Sequence, residues 1–149
     1  MANLNVVEKV IVLEAVEMFR DMSPRQLARI AAIAKEVRFA PGEFILDPAQ
    51  HRNGFHVIVD GTAELRHGDE PVSKVGSGHV LGMWSIFEDT DPMHITAKAL
   101  ENTRVLQINE EDFFELLSDD VDMTSTMFSS LVKRLRAAKP GAVAEAAHG

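Results

Sequence analysis

Apolar residues recur at helical spacing near both ends of the chain; between them they fall in short runs cut by glycine and proline. Val6, Val10, Leu13, Val16 and Met18, with charged residues between them, predict a helix over Val6–Phe19. A second helix carries its own start signal. Ser23 is placed as N-cap, Pro24 takes the first helical position, and Gln26 completes a capping-box pattern. Met22 and Leu27 are spaced for a hydrophobic staple across that start. Leu27, Ile30, Ala31 and Ala34 continue the stripe, which predicts an end near Val37.

From Arg38 to Ile108 the pattern changes. Pro41-Gly42, Asn53-Gly54, Asp60-Gly61, His67-Gly68 and Gly76-Ser77-Gly78 separate the runs Glu43–Leu46, Phe55–Val59, Ala63–Arg66, Val72–Val75 and Ile95–Ile108, the last broken near Glu101-Asn102. Many short strands joined by such turns predict a jelly-roll-like antiparallel β-roll. Asp60-Gly61 reads as a hairpin turn with positive φ at the glycine. Helical spacing then returns. Asn109 or Glu110 caps a helix carrying Phe113, Phe114, Leu116 and Leu117, and a longer helix runs from about Val121 to Ala138. Met123, Met127, Phe128, Leu131, Val132 and Leu135 are assigned to one face of it, with Lys133, Arg134 and Arg136 in its last turns, where cations suit the helix dipole. The fold class is α+β, mainly β: a β-roll with N-terminal helices and two C-terminal helices.

Composition narrows the function classes. At 149 residues with 46% hydrophobic and 26% charged residues, the chain reads as one globular domain. A formal charge of −8 argues against general affinity for nucleic acid or anionic membrane. The absence of cysteine excludes disulfides and thiolate metal sites. No apolar run reaches the roughly 18 residues of a membrane span, and no signal-like start is seen, so a cytoplasmic protein is expected.

The stretch with most chemical information is Gly78–Ser85, followed by Pro92-Met93-His94-Ile95-Thr96-Ala97. With Pro41-Gly42-Glu43 and the Phe55–Gly61 strand and turn, it resembles the cyclic nucleotide-binding domain family over about Phe19 to Arg136. In that family a Gly-Glu pair opens a short helix, the Glu accepts a hydrogen bond from the ribose 2′-hydroxyl, and an Arg after a short loop pairs with the cyclic phosphate. Here the Glu position reads Met83 and the Arg position reads Met93. The resemblance thus implies a ligand pocket at Gly82, Met83, Trp84, Ser85, Met93 and His94 whose usual grip is gone.

A helix N-terminus at Gly82–Ser85 would still offer N–H groups to an anion. The full charge partner is missing, and no Arg lies between Arg66 and Arg104 to replace it. Truncating one member of a buried charge pair costs about 2–5 kcal/mol, or roughly thirty- to several-thousand-fold in affinity. Losing the Glu adds about 1.5–3 kcal/mol. His94 is read as a structural or surface histidine, its alternative being a protonated imidazole for the phosphate. Trp84 is read as a core plug, its alternative a base-stacking platform, and Lys98 is expected to alternate toward solvent.

Other chemistries find little support. The six histidines include no His-x-His pair of the kind a cupin metal enzyme uses, and no nucleophile elbow, Walker loop or dinucleotide fingerprint appears. The expected organisation is an N-terminal helix at 1–22, a cyclic nucleotide-binding-like domain at 23–138 (β-roll about 38–108, C-terminal helices about 110–138) and a flexible tail at 139–149. The expected function is a non-enzymatic regulatory or interaction module that binds cyclic AMP or cyclic GMP weakly or not at all, with no other cofactor and no metal. The alternative is a true nucleotide or small-ligand sensor with an altered phosphate grip. Expected partners are a protein or a larger parent polypeptide. A homodimer through Met123, Met127, Phe128, Leu131 and Leu135 is the further expectation, with no direct nucleic-acid contact and no membrane insertion.

Overall fold

A computed structural model describes residues 3–47, 54–82 and 95–137. Met83, Trp84, Ser85, Met93 and His94 of the expected pocket, and the expected tail at 139–149, lie outside the described residues. Helix α1 spans Val6–Glu14 and is opened by a reciprocal Asn5/Glu8 capping box. The expected continuation to Phe19 is corrected. The chain turns extended at Val16 and resumes as a 3-10 turn over Glu17–Phe19. A straight helix would carry Phe19 well round from Leu13 at 100° per residue; the break lets Leu13, Val16 and Phe19 all reach the core, at 0%, 2% and 0% exposure. Val6 stays half exposed, so the buried stripe is shorter than its sequence pattern.

Helix α2, Pro24–Ile33, begins as its sequence predicts. Ser23 and Gln26 exchange side-chain-to-backbone bonds of 3.2 and 2.9 Å, and Met22 and Leu27 are buried. It stops at Ile33, not Val37, because Ala34–Phe39 forms strand β1. All six residues of β1 pair with β8, from Ala34 opposite Ile108 to Phe39 opposite Thr103. That ladder overrides the helix propensity of Ala-Lys-Glu.

The remaining strands are β2 (Phe44–Leu46), β3 (Gly54–Asp60), β4 (Ala63–His67), β5 (Glu70–Val75), β6 (Val80–Leu81), β7 (Ile95–Ala99) and β8 (Thr103–Asn109). They form two four-stranded antiparallel sheets, ordered β1-β8-β3-β6 and β2-β7-β4-β5. The Asp60-Gly61 turn is therefore not a hairpin, since β3 and β4 belong to different sheets. It is the corner where the chain passes from one to the other. Its glycine has φ +98°, and a Cβ there would fall 2.5 Å from the Thr103 hydroxyl. The hairpin proper is β4–β5, closed at His67 opposite Glu70 with Gly68 at φ +62°.

Helix α3, Glu110–Asp119, is capped by Asn109, whose Oδ1 accepts from the N–H groups of Glu111 and Asp112. Helix α4 follows at Val121–Ala137. Asp120 between them receives the Met123 N–H at 3.0 Å and ties the start of α4. One core lies between the first sheet and the helices, with Phe19, Phe55 and Phe113 in mutual ring contact at centroid distances of 5.1–6.5 Å. The other lies between the sheets, built from Phe39, Ile45, Ile58, Ala63, Leu81, Ala97, Ala99 and Val105.

Candidate functional site

The two ends of the expected cassette are anchored on different sheets. Its entry is β6, where Leu81 lies opposite His56 and Val80 opposite Val57 at the edge of the first sheet. The turn before it is tied down, with Gly78 N–H donating to Ile58 O at 2.8 Å and Ile58 N–H to the His79 carbonyl at 3.0 Å. Gly82 follows at φ +82°, a conformation that glycine adopts without strain. Its exit is β7, whose Ala97 and Ala99 pair with Leu65 and Ala63 of β4 inside the second sheet. The Pro41-Gly42-Glu43 turn is laced to the far end of β7. Gly42 N–H donates to Ala99 O, and Ala99 N–H to Glu43 O, both at 2.8 Å.

Strand alternation decides which side chains reach the space between the sheets. On β3, Phe55 and Val57 join the helix-side core while Ile58 joins the inter-sheet core. His56 shares the face of Ile58, is 1% exposed, and stands opposite Leu81 and Gln107. In the sequence it is one of six histidines, none of them in a His-x-His pair. Its alternation with Phe55 and Val57 was the available signal.

The strand cations are all directed elsewhere. Arg104 is paired with Asp60 at 2.6 Å and lies 3.8 Å from Glu36; Arg38 holds Glu36 at 3.0 Å. Arg66 lies 3.7 Å from Glu64 and donates to the Asp69 carbonyl. Lys98, between buried Ala97 and Ala99, lies over the Phe44 ring on the outer face of the second sheet, as its alternation implied. Lys35 and Lys74 are exposed. Among the described residues, then, the inter-sheet core is lined by hydrocarbon and the ring of His56, and no strand cation is packed within it. A hollow of about 170 Å³ between α2 and α3 is rimmed by Asp112, Glu115 and Asp119, which repel an anion.

A family model, that of the cyclic nucleotide-binding domain, matches residues 36–120, more than half of the chain. The chain belongs to the cyclic nucleotide-binding domain family. Among curated relatives, the cAMP-dependent protein kinase regulatory subunit of Emericella nidulans is 25% identical over 107 residues, 70% of this chain and 26% of the relative. The chain thus spans about a quarter of the length of that relative. The N-terminal domain of a transcriptional regulator from Streptomyces coelicolor A3(2) has the same fold, with TM-score 0.73, 23% identity, and 84% of this chain and 92% of that one covered. So does the regulatory subunit of a cAMP-independent protein kinase A from Trypanosoma cruzi, solved bound to guanosine: TM-score 0.68, 15% identity, 78% and 42% covered.

In this family member the C-terminal helices are clasped to the N-terminal ones by ion pairs. Asp120 takes Arg29 of α2 at 2.8 Å, Asp21 accepts from Ser130 at 2.9 Å and Lys133 at 3.3 Å, and Glu17 lies 3.4 Å from Arg134. The Ser130 and Lys133 donors hold the Asp21 carboxyl below its ordinary range; the Met123 N–H, aided by Arg29, does the same for Asp120. Burial alone would raise Glu36, but the Leu4 N–H with Arg38 and Arg104 outweighs it and holds that carboxyl low. The face expected on α4 divides. Met123 is fully buried and Met127 packs against the core, whereas Phe128 and Leu135 are 66% and 45% exposed. Met123 is therefore withdrawn from the expected interface, because its own chain covers it.

Proposed function

We propose that the chain is a non-enzymatic regulatory and interaction module, with cyclic AMP and cyclic GMP binding weak or absent. The observation that supports this most is the placing of the strand cations. Arg66 and Arg104, which flank the cassette in sequence, are engaged at sites away from the inter-sheet core. A buried cyclic phosphate needs charge compensation, and Met83 and Met93 stand where the family's Glu and Arg would supply the grip. The regulatory roles named for the curated relatives, and the quarter of their length spanned, favour a module acting through a protein partner or a parent polypeptide. Helix α4 carries the output. Among the described residues no helix is long and apolar enough to cross a membrane, and the cytoplasm is the proposed site of action.

The test is a calorimetric titration of cyclic AMP and cyclic GMP into nucleotide-free protein. No heat and no thermal shift at millimolar ligand is the expected result. Micromolar binding of either overturns the reading.

A second reading has one observation in its favour. Buried His56 brings a polar ring to the inter-sheet face beside Leu81, which suits a ligand without a phosphate. The guanosine-bound relative of the same fold makes nucleosides the first class to add to the titration. Binding of guanosine or adenosine that is lost in His56→Ala, with the fold intact, would favour this sensor reading over the first.

A further inference from the structure

The outer face of the β2-β7-β4-β5 sheet departs from the charge pairing usual on a solvated sheet. Its ladder sets Phe44, Lys98, Glu64 and Lys74 opposite one another in one row across the four strands. Opposite charges facing across strands ordinarily close such a row. Here Glu64 has a lysine on either side, yet the cation it meets is Arg66 of its own strand, at 3.7 Å. Neither Lys74 nor Lys98 has an ion-pair partner among the described residues. The row and the adjoining Arg66 thus hold three cations to one carboxylate, in a chain of formal charge −8. A lysine on an edge strand guards against unwanted pairing, which accounts for Lys74 on β5. It does not account for Lys98, which is on the interior strand β7. The Lys98 Nζ lies 5.9 Å from the centroid of the Phe44 ring. That ring is 40% exposed, and Leu100, one residue past the end of β7, is 39% exposed.

We infer that this row docks an extended acidic segment of a protein partner, with an apolar side chain on Phe44 and carboxylates on Lys98 and Lys74. The inference rests on the interaction-module reading and names the surface and the chemistry of the partner. Spacing supports it. Neighbouring strands lie about 4.8 Å apart, so the row from Phe44 to Lys74 is about 14 Å long. Alternate side chains of an extended segment share a face and lie about 7 Å apart. Positions i, i+2 and i+4 therefore cover the same length, an apolar residue at the Phe44 end and an acid at the Lys74 end. The middle acid falls beside Lys98, and the residues between point away from the sheet. Charge selects the class of partner. A short acidic segment fits within the row. A nucleic acid strand or an anionic membrane continues past it, onto a chain whose net charge of −8 repels it.

The probe is a peptide with blocked ends, Leu-Ser-Glu-Ser-Glu, titrated at low salt into the intact chain while amide NMR shifts are followed. Shifts should gather on β2, β7, β4 and β5, and should vanish when Gln replaces Glu in the peptide. Lys98→Glu with Lys74→Glu should weaken binding about tenfold, and added salt should weaken it further. Phe44→Ala should weaken binding of this peptide but not of one with Ser in place of Leu. Lys35, exposed on β1 of the other sheet, supplies the control. Lys35→Glu changes the net charge as much as Lys98→Glu does and should leave binding unchanged. Equal weakening by these two single variants overturns the surface, since net charge alone would then explain it. Absence of shifts with the acidic peptide overturns the proposal. Tighter binding of a thymidine oligonucleotide, lost in the same double variant, overturns the choice of a protein segment. None of these outcomes touches the interaction-module reading, because the nucleotide titration tests it separately.

Discussion

The two faces of the β1-β8-β3-β6 sheet are packed by different rules. Toward the helices, Phe19, Phe55 and Phe113 meet ring to ring, with Phe55 and Phe113 in a T-shaped pair, and Leu13, Leu27, Ile30, Leu106, Ile108 and Met123 fill the gaps. Toward the second sheet, the opposing wall is Ile45 with the small side chains of Ala63, Ala97 and Ala99, edged by Leu46, Leu65 and Val75 and met by Phe39, Ile58, Leu81 and Val105. Large interlocking side chains fix the helices in one arrangement. Small ones let two sheets come together with little side-chain detail. The expected cassette enters and leaves through β6 and β7, which border this second kind of interior.

The comparison can be broken where it is most unequal. Phe113→Ala removes the hub of the ring cluster and should cost about 3–5 kcal/mol, a fall in Tm of about 6–20 °C for a chain this size. Ala97→Leu must force the sheets apart and should cost about 1–3 kcal/mol. Thermal unfolding checks both; an Ala97→Leu cost equal to that of Phe113→Ala would end the distinction. Gly61→Ala tests the corner joining the sheets. Its φ of +98° and the closeness of Thr103 make an added Cβ unfavourable, by about 1–2 kcal/mol for the backbone alone. Gly68→Ala at the exposed β4–β5 hairpin, where nothing lies within 4 Å of an added Cβ, should cost less.

These differences also explain what could be read in the sequence. The Ser23/Gln26 cap, the Asn109 cap and the run Phe55–Val59 are local signals and appear as expected. Strand β1 was hidden because Ala34-Lys35-Glu36 continues a helical pattern and only its pairing with β8 makes it a strand. The break at Val16 was hidden for the same reason: it answers to the position of Phe55 and Phe113, far away in the chain. The α4 stripe was legible as apolar spacing. Its division into a core side and an outer side required the contacts with Asp21 and Glu17. Met83 and Met93 at the expected Glu and Arg positions were legible as residue identities, whereas the engagement of Arg66 and Arg104 with Glu64, Asp60 and Glu36 was not.

The smallest expected effect contrasts the polar clasps of α4 with the apolar sheets. Asp21 and Asp120 both titrate below their ordinary range when folded, through Ser130 and Lys133 in one case and the Met123 N–H and Arg29 in the other. A carboxyl depressed in this way contributes stability that is fully present above its unfolded pKa. The contribution is lost as pH falls through the folded one, because the unfolded chain takes up protons first. Acidification from neutral pH should thus leave α4 unchanged until about pH 5 and loosen it progressively below. Amide exchange should show protection in the first turns of α4 falling while β4 and β7, which carry no depressed carboxyl among the described residues, stay protected. In Asp120→Ala the start of α4 should exchange faster already at neutral pH, with a smaller further change on acidification. Equal loss across α4 and both strands would mean that the clasps add nothing of their own and that the Met123 and Met127 contacts alone hold the helix in place.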